Sequence, residues 1–375
     1  MVPLIPTMPA GPWLLVIGCH RSGTSAVTGA LVAMGFQGVD VADRMEPRAS
    51  NPEHWESVGA ALYNEALLAG LDAGWDAPPP VTYEARDLVP ADGLPDPAAV
   101  MAAAYPRPGP LVWKDPRACL LLPYWRGILP APLTAIFIWR DPLEVARSLH
   151  TRDGMPIADG VALWERYNRS AATGLQGVDT FVLDYADLLG DPEGTLGGIA
   201  DWLRGLGRFG EETDGWDPTA AADSVDGRLH RETAGDTEPD AFPPMPGPLV
   251  EWLTSQAGGH SPLDSSPPPP ESPWPGAILE TRREIARLRR LVEERDIEFD
   301  RQASEHADVV AMLEALVHSR DARIHVLNSD LRGEAMRYQG VRAELDRVLG
   351  STSWKVTSPV RTALAKLTNH SNPVG

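Results

Sequence analysis

A glycine-containing loop between an apolar run and a helical segment constrains the fold of this chain most. In the stretch VIGCHRSGTSAV, which begins at Val16, Gly18 and Gly23 have the spacing of the phosphate-binding loop G-x-x-x-x-G-K-[ST]. Thr24 stands where that loop has its lysine, and Arg21 lies inside the loop. Because the loop joins a strand to a helix, backbone N–H groups and a helix N-terminus are expected to face one anion. The pattern predicts an anion site that does without the usual lysine.

Short apolar runs alternate with helical segments from Trp13 to about Leu206. The runs WLLVI, LVW, LTAIFIW and TFVLDY read as buried strands. Such alternation is typical of a parallel sheet with crossover helices. We therefore predict the α/β class, with a P-loop-like three-layer α/β/α domain and a mainly parallel sheet, followed by a long C-terminal coiled-coil helix.

Composition changes twice after this pattern ends. Proline, glycine and serine dominate the stretch that contains PPMPGP and SSPPPPESPWPG, in which VEWLTSQ reads as a short helix, and an apolar heptad pattern follows. Arg295, Gln302 and His306 interrupt the heptads, so we expect a long helix rather than any particular oligomer. The expected parts are a catalytic domain, a Pro-rich linker, a coiled coil and an amphipathic tail, over residues 11–232, 233–276, 277–350 and 351–375. We also expect a chain shortened after Gly276 to remain folded.

Charge and cysteine content narrow the function classes. The 375 residues carry a formal net charge of −19, which disfavours binding to nucleic acid or to an acidic membrane surface. An anionic ligand must then be held by a few local arginines and lysines. Cys19 and Cys119 are the two cysteines, no basic segment precedes the first apolar residues, and no apolar run has the length of a membrane span. These features predict a reduced, cytoplasmic protein.

A second anion site is predicted at the end of the strand LTAIFIW. Arg140 follows this strand, where a nucleotide-binding fold would place a magnesium-holding acid. Asp141 can cap the next helix, and Pro142 suits its first turn. Ser148 lies two turns along the same helix face as Asp141. Arg140 and Ser148 are therefore expected to converge on one phosphate, and no metal site is predicted.

These motifs together resemble those of sulfotransferases. GCHRSGTS resembles the 5′-phosphosulfate loop of that family, and RDPLEVARS resembles its 3′-phosphate motif. NPEHWES, WKDPR and LDYADLLGDPEGTLGGIADWL are similar to segments of bacterial sulfotransferases that act on glycans and other small acceptors. The resemblance implies 3′-phosphoadenosine 5′-phosphosulfate, PAPS, as co-substrate. PAPS has two separate phosphate groups, no polyphosphate for a lysine to grip and no required metal.

The resemblance also implies residues that bind the donor. Arg140 and Ser148 would hold its 3′-phosphate. Arg228, in VDGRLHR, occupies the late position of another basic donor-binding element, and a solvated linker charge is the competing interpretation. The residues that would cradle the 5′-phosphate and sulfonate are Arg21, Ser22, Gly23, Thr24 and Ser25.

Four residues receive catalytic roles by the same resemblance. Arg21 would stabilise charge on the sulfonate and the bridging oxygen, and Lys114 would be a second cation there, unless it only forms a structural ion-pair cluster with Asp115. Glu56 would be the base for the acceptor hydroxyl, unless it only begins the next helix. His54 is the rival base, because the ordinary pKa of imidazole suits work near neutral pH.

The expected function is transfer of the sulfonate from PAPS to a hydroxyl of a saccharide, glycolipid or other small acceptor. An atypical P-loop kinase is the alternative enzyme, which magnesium dependence would distinguish. A non-catalytic coiled-coil scaffold with a degenerate nucleotide fold is the third class. STSWKVTSPVR resembles a terminal segment of bacterial glycan-assembly enzymes, so peripheral contact with a membrane glycan assembly is a hypothesis, and the coiled coil predicts self-association or a partner protein.

Overall fold

The computed structural model describes residues 8–47, 54–80, 88, 90, 93–225, 245–302 and 307–352, with the side chains of 296–311 left out. Among these residues, those up to 324 belong to one compact unit and those from 325 onward to a second. The first unit is a mixed α/β structure.

Five strands form the sheet of the first unit, in the order β2-β1-β3-β4-β5. They are β1 (Trp13–Ile17), β2 (Leu111–Lys114), β3 (Thr134–Trp139), β4 (Asp179–Asp184) and β5 (Gly258–His260). The first four pair in parallel, whereas β5 is antiparallel to β4. The mainly parallel sheet predicted from the apolar runs is confirmed.

Helices separate the strands and continue after them. They are α1 (Thr24–Met34), α2 (Val58–Ala69), α3 (Pro97–Ala104), α4 (Ala118–Trp125), α5 (Pro142–Asp153), α6 (Ile157–Gly174), α7 (Tyr185–Gly190), α8 (Pro192–Leu206), α9 (Pro218–Ala222), α10 (Gly247–Ser255), α11 (Trp274–Gln302) and α12 (Ala307–Gly350). A 3₁₀ helix spans Gly210–Gly215.

Both faces of the sheet are buried. Successive side chains of a strand alternate between the two faces. Leu14 and Ile136 belong to an apolar cluster with residues of α1, α8 and α9, and Leu15 and Phe137, on the opposite face, are also fully buried. Covered faces explain why these strands read as unbroken apolar runs.

Local signals fix the ends of the two helices that follow β1 and β3. Gly35 ends α1 at a φ of 127°, a value that favours glycine. The Asp141 carboxylate accepts hydrogen bonds from the N–H groups of Leu143 and Glu144, and Pro142 is in the first turn of α5. The predicted start of α5 therefore appears in the structure, and Gly35 accounts for the end of α1.

Residues 245–276, predicted as a Pro-rich linker with one short helix, contain more structure than that. Helix α10 contains most of the predicted helix VEWLTSQ, and β5, which was not predicted, extends the sheet beside β4. Leu249, Leu253 and Leu263 are fully buried. These three leucines hold the segment against the first unit despite its many prolines, because their apolar surface is removed from water.

Helix α11 also packs on the first unit, although a coiled coil is predicted from residue 277. Its buried side chains include Ile278 and Leu288. The Arg282 guanidinium pairs with Asp159 of α6 at 2.5 Å and with Asp76 at 3.0 Å. The apolar residues of the first heptads therefore pack into the α/β unit.

Helix α12 continues into the second unit, whose described residues are 325–352. Several of its apolar side chains are exposed, including Leu327, Tyr338, Val341 and Leu345. The coiled coil itself stays a prediction. Within the described part of the chain, no helix has the length and apolar character needed to cross a membrane.

Candidate functional site

The loop after β1 needs glycine at two positions, Gly18 and Gly23, for steric reasons. A Cβ atom on Gly18 would lie 2.3 Å from the carbonyl oxygen of Ile138. Gly23 has a φ of 88°, and a Cβ atom there would lie 2.2 Å from the ring of Tyr185. Arg21 also has a positive φ, 68°, which is uncommon for a residue with a side chain. The loop is therefore wound tightly between β3 and α7.

The N-terminus of α1 is arranged to receive an anion. Gly23 is its N-cap and supplies no side-chain hydrogen bond, so the first N–H groups are not capped in the usual way. Ser22 is fully buried, and its hydroxyl has no hydrogen-bond partner among the described residues. An uncapped helix start leaves backbone N–H donors available to an anion.

A cleft, which we call the cationic cleft, opens beside this loop. Among its lining residues, Arg21, Lys114, Arg140 and Arg152 carry positive charge and Glu56 carries negative charge. The full lining is His20, Arg21, Gly23, Thr24, Ser25, Ala26, His54, Glu56, Lys114, Pro116, Arg140, Arg152 and Tyr185. The local excess of cations contrasts with the chain's net charge of −19 and favours an anionic ligand.

Lys114 joins the loop to the carboxylate of Glu56. It ends β2, is 2% exposed, and donates a 3.2 Å hydrogen bond to the Ser25 hydroxyl. Its ammonium group also forms a close ion pair with Glu56. Arg117 contacts the other carboxylate oxygen of Glu56 at 3.4 Å, besides pairing with Asp115 at 3.1 Å. Lys114 and Glu56, the predicted catalytic residues, thus belong to one ion-pair cluster with Arg117 and Asp115.

These cations control the protonation of Glu56. Burial alone would raise the pKa of this carboxyl, but the charge of Lys114, the hydrogen bond that Lys114 donates and the charge of Arg117 outweigh it and lower the pKa to about 2. Glu56 is therefore ionised across the neutral range. While Lys114 remains paired with it, it is a weak base.

Arg21 connects the two predicted phosphate sites. Its Nε atom donates a 2.9 Å hydrogen bond to the Ser148 hydroxyl, and its carbonyl oxygen accepts a 3.3 Å bond from Nη1 of Arg140. Burial lowers the pKa of Arg21, and the nearby charges of Arg152 and Arg140 lower it further. A bound anion would relieve this repulsion among three guanidinium groups.

Arg140 is held in place from three sides. Its Nε atom pairs with Glu144 at 2.7 Å, and its guanidinium lies 5.3 Å from the centre of the Tyr185 ring. Its carbonyl oxygen accepts a 2.8 Å hydrogen bond from the indole of Trp164. With 6% of its surface exposed, Arg140 presents a positioned cation to the cleft.

The structure adds two cleft residues that the sequence reasoning missed. Arg152 lies 5.1 Å from the centre of the Trp75 ring, and it follows Ser148 by one helical turn, a spacing that the sequence does show. His20 lies between the rings of Trp75 and Tyr167, at 4.8 and 5.4 Å. Burial, followed by the charge of Arg117, lowers the pKa of His20 well below its usual value, so its imidazole is neutral near pH 7.

The predicted site residues fall into three groups. Residues that line the cleft directly are Arg21, Gly23, Thr24, Ser25, His54, Glu56, Lys114 and Arg140. Ser22 belongs to the loop and Ser148 accepts a hydrogen bond from Arg21, but neither is among the residues that line the cleft. Arg228 lies outside the described residues. Among the residues that the structure describes, no group of three or more His, Cys, Asp and Glu side chains is placed to hold a metal ion.

Comparison with known proteins gives one likeness of fold. No model of a protein family matches the chain, and no curated protein matches it significantly. A solved structure to which it is similar is the sulfotransferase domain of the olefin synthase from Synechococcus PCC 7002. That match has 18% sequence identity and a TM-score of 0.35, and it covers 61% of this chain and 86% of that chain. Residues of the cationic cleft, rather than this likeness, support the function proposed below.

Proposed function

We propose that this protein is a PAPS-dependent sulfotransferase that transfers a sulfonate group to an acceptor hydroxyl. The observation that carries the proposal is the placement of Arg21 between Ser148 and Arg140 at the uncapped start of α1. This placement links the two segments, GCHRSGTS and RDPLEVARS, that we propose to bind the 5′- and 3′-phosphate groups, as their resemblance to sulfotransferase motifs implies.

The cleft residues suit the charge distribution of this donor. The loop residues from Ser22 to Ser25 offer N–H and hydroxyl donors to the 5′-phosphosulfate. Arg140, fixed by Glu144 and Trp164, is the candidate cation for the 3′-phosphate. Thr24 stands where nucleotide-binding loops have a lysine for β- and γ-phosphates, and this donor has neither phosphate.

The donor supplies a sulfonate whose sulfur–oxygen bond to the 5′-phosphate breaks, with the electron pair staying on the phosphate, as the acceptor oxygen bonds to sulfur. Arg21 and Lys114 are the cations that stabilise the charge left on the phosphate side. Glu56 takes the acceptor proton in this proposal, and His54 remains the rival base.

Glu56 can act as the base only if its ion pair with Lys114 weakens. A carboxylate with a pKa of about 2 accepts a proton poorly. Lys114 already contacts Ser25 of the loop at 3.2 Å. We propose that its ammonium group moves away from Glu56 and toward the sulfonate when the donor binds. The pKa of Glu56 would then rise toward its usual range, so its basicity appears when the donor is in place.

The acceptor class is a hydroxyl of a saccharide, a glycolipid or another small molecule. This part of the proposal rests on the similarity of NPEHWES and LDYADLLGDPEGTLGGIADWL to segments of bacterial enzymes that modify glycans. Peripheral contact with a membrane glycan assembly and a cytoplasmic location belong to the same proposal.

The experiment incubates the full chain with PAPS carrying a radiolabelled sulfonate and a panel of saccharide, glycolipid and phenol acceptors. We expect labelled product with at least one acceptor, undiminished by EDTA, and loss of product with Arg21→Ala. Arg204→Ala, at the exposed end of α8, is the matched control and should stay active. Label transfer from ATP that EDTA abolishes would support the kinase alternative. A chain that binds the donor but transfers label to no acceptor would support the scaffold.

A further inference from the structure

Helix α12 carries an apolar stripe over three heptads of the second unit. With Leu331 at heptad position a, the a and d residues of this stripe are apolar except for Glu334; they are Leu327, Leu331, Glu334, Tyr338, Val341, Leu345 and Val348. Tyr338 is 61% exposed and Val341 is 66% exposed. A stripe of this period is the surface that a second helix covers in a coiled coil.

From this stripe we infer that α12 forms an antiparallel coiled coil with α12 of a second copy of this chain. The occupant is assigned by charge, because the charged residues that flank the stripe match only one arrangement of two copies. The inference is independent of the function proposed above, since it uses residues 327–348 alone.

A parallel pairing in register places like charges together. Position d would bring Glu334 of each copy face to face inside the seam. Position g of one helix lies beside position e of the next heptad in its partner, which would set Arg337 against Arg342. Like charges in contact destabilise such a pair, and the Glu334 contact would also be desolvated.

An antiparallel pairing in one register avoids both repulsive contacts. When Tyr338 packs against Val341 of the second copy, the flanking g residues Arg337 and Glu344 face each other twice, once on each side of the axis. Glu334 then packs against Leu345, with Arg342 of the second copy within one turn of its carboxylate. The remaining layer joins Leu331 to Val348, so the core is otherwise apolar.

The neighbouring antiparallel registers place like charges against each other. Sliding one helix by a heptad in one direction sets Arg337 against Arg337 of the second copy and Asp330 against Glu344. Sliding it by a heptad in the other direction sets Glu344 against its own counterpart. Opposite charges thus select a single register, as e and g residues do in coiled coils generally.

The test measures self-association of the full chain by analytical ultracentrifugation from roughly 1 to 100 μM, a range that reports affinities typical of short helical interfaces. We expect a concentration-dependent dimer. Arg337→Glu and Glu344→Arg should each weaken it about tenfold, because each converts two attractive contacts into repulsive ones. The double variant Arg337→Glu/Glu344→Arg should restore it.

Two outcomes of this test would overturn the inference. Arg337→Glu would strengthen a parallel dimer, since it places a carboxylate beside Arg342. A wild-type chain that stays monomeric throughout would show that another segment or another protein covers the stripe.

A distance measurement gives an independent check of direction. Ser329 is exposed on the outer face of α12, and a nitroxide label on Ser329→Cys reports the separation of the two copies. The antiparallel register places residue 329 opposite residue 350, so at 1.5 Å per residue the labels should be about 30 Å or more apart. A separation below roughly 20 Å, as expected for two parallel helices about 10 Å apart, would contradict the proposal.

Discussion

Arg21 and Ser148 are hydrogen-bonded at 2.9 Å, from the guanidinium Nε to the serine hydroxyl, although 127 residues separate them in the chain. The bond links the loop after β1 to the middle of α5. The segments proposed to bind the 5′- and 3′-phosphate groups therefore meet through direct contact, and each is expected to affect the binding of the other phosphate.

Ser148→Ala should weaken binding of 3′-phosphoadenosine 5′-phosphate about tenfold. The substitution removes the hydroxyl that orients Arg21 and a candidate phosphate contact, and hydrogen bonds to charged groups typically contribute about 1.5 to 3 kcal/mol. Isothermal titration calorimetry measures the change. Ser255→Ala, at the end of α10, is the control and should bind as the wild type does. Equal affinities for both variants would remove Ser148 from the site.

Gly23→Ala should destabilise the fold and abolish donor binding. Besides adopting a φ of 88°, the new Cβ atom would lie 2.2 Å from the Tyr185 ring, so the loop or the ring must move. Gly154→Ala is the matched control, because Gly154 has a φ of 68° with no atom within 4 Å of its Cβ position. Gly154→Ala should lower the free energy of unfolding only by the cost of a positive φ for alanine, about 1 kcal/mol. Chemical denaturation compares the two, and an equal cost would show that Tyr185 does not confine the loop.

Glu56→Gln should lower the free energy of unfolding at neutral pH by about 3 kcal/mol, because it leaves Lys114 buried without its carboxylate. The pKa of Glu56 is depressed on folding, so the stabilisation is present above the unfolded value of 4.5 and is lost as pH falls toward 2. The difference between wild type and variant should therefore shrink over that window. Denaturation at a series of pH values tests this, and a difference independent of pH would contradict the ion-pair account.

The same variant tests the base at neutral pH. Glu56→Gln should reduce turnover by about 10² to 10⁴-fold while donor affinity changes much less. His54→Gln is its counterpart. If only the histidine variant loses turnover, imidazole is the base.

Shortening the chain after Gly276 should destabilise the first unit by more than about 4 kcal/mol. The cut removes the buried side chains of Ile278, Ile285 and Leu288, each contributing roughly 1.5 to 3 kcal/mol, and leaves Asp159 without Arg282. A chain shortened after Arg295 retains these groups and should unfold as the full chain does. Urea denaturation distinguishes them. Identical midpoints for both would restore the expectation that α11 lies outside the core.

Features with local causes could be predicted from the sequence. The four parallel strands follow from apolar runs, and the start of α5 follows from Asp141 and Pro142. The loop from Gly18 to Gly23 could be predicted because both its glycines and its strand–helix setting are contiguous in the chain.

Other features depend on contacts between distant segments. The proline content of residues 245–276 concealed β5, whose sequence, Gly258–His260, has little strand propensity and which pairs with β4, from a distant part of the chain. The low pKa of Glu56 arises from Lys114, far along the chain, and could not be derived from NPEHWES alone. Arg152 was the exception, because its spacing from Ser148 on α5 was visible in the sequence.

The most direct measurement compares the affinity of the full chain for 3′-phosphoadenosine 5′-phosphate and for adenosine 5′-phosphate, in wild type and in Arg140→Ala. A charge-assisted contact to the 3′-phosphate should give the wild type at least a tenfold preference for the bisphosphate, on the order of 1.4 kcal/mol, and Arg140→Ala should lose most of it. Equal affinity of the wild-type protein for the two nucleotides would contradict the proposed donor.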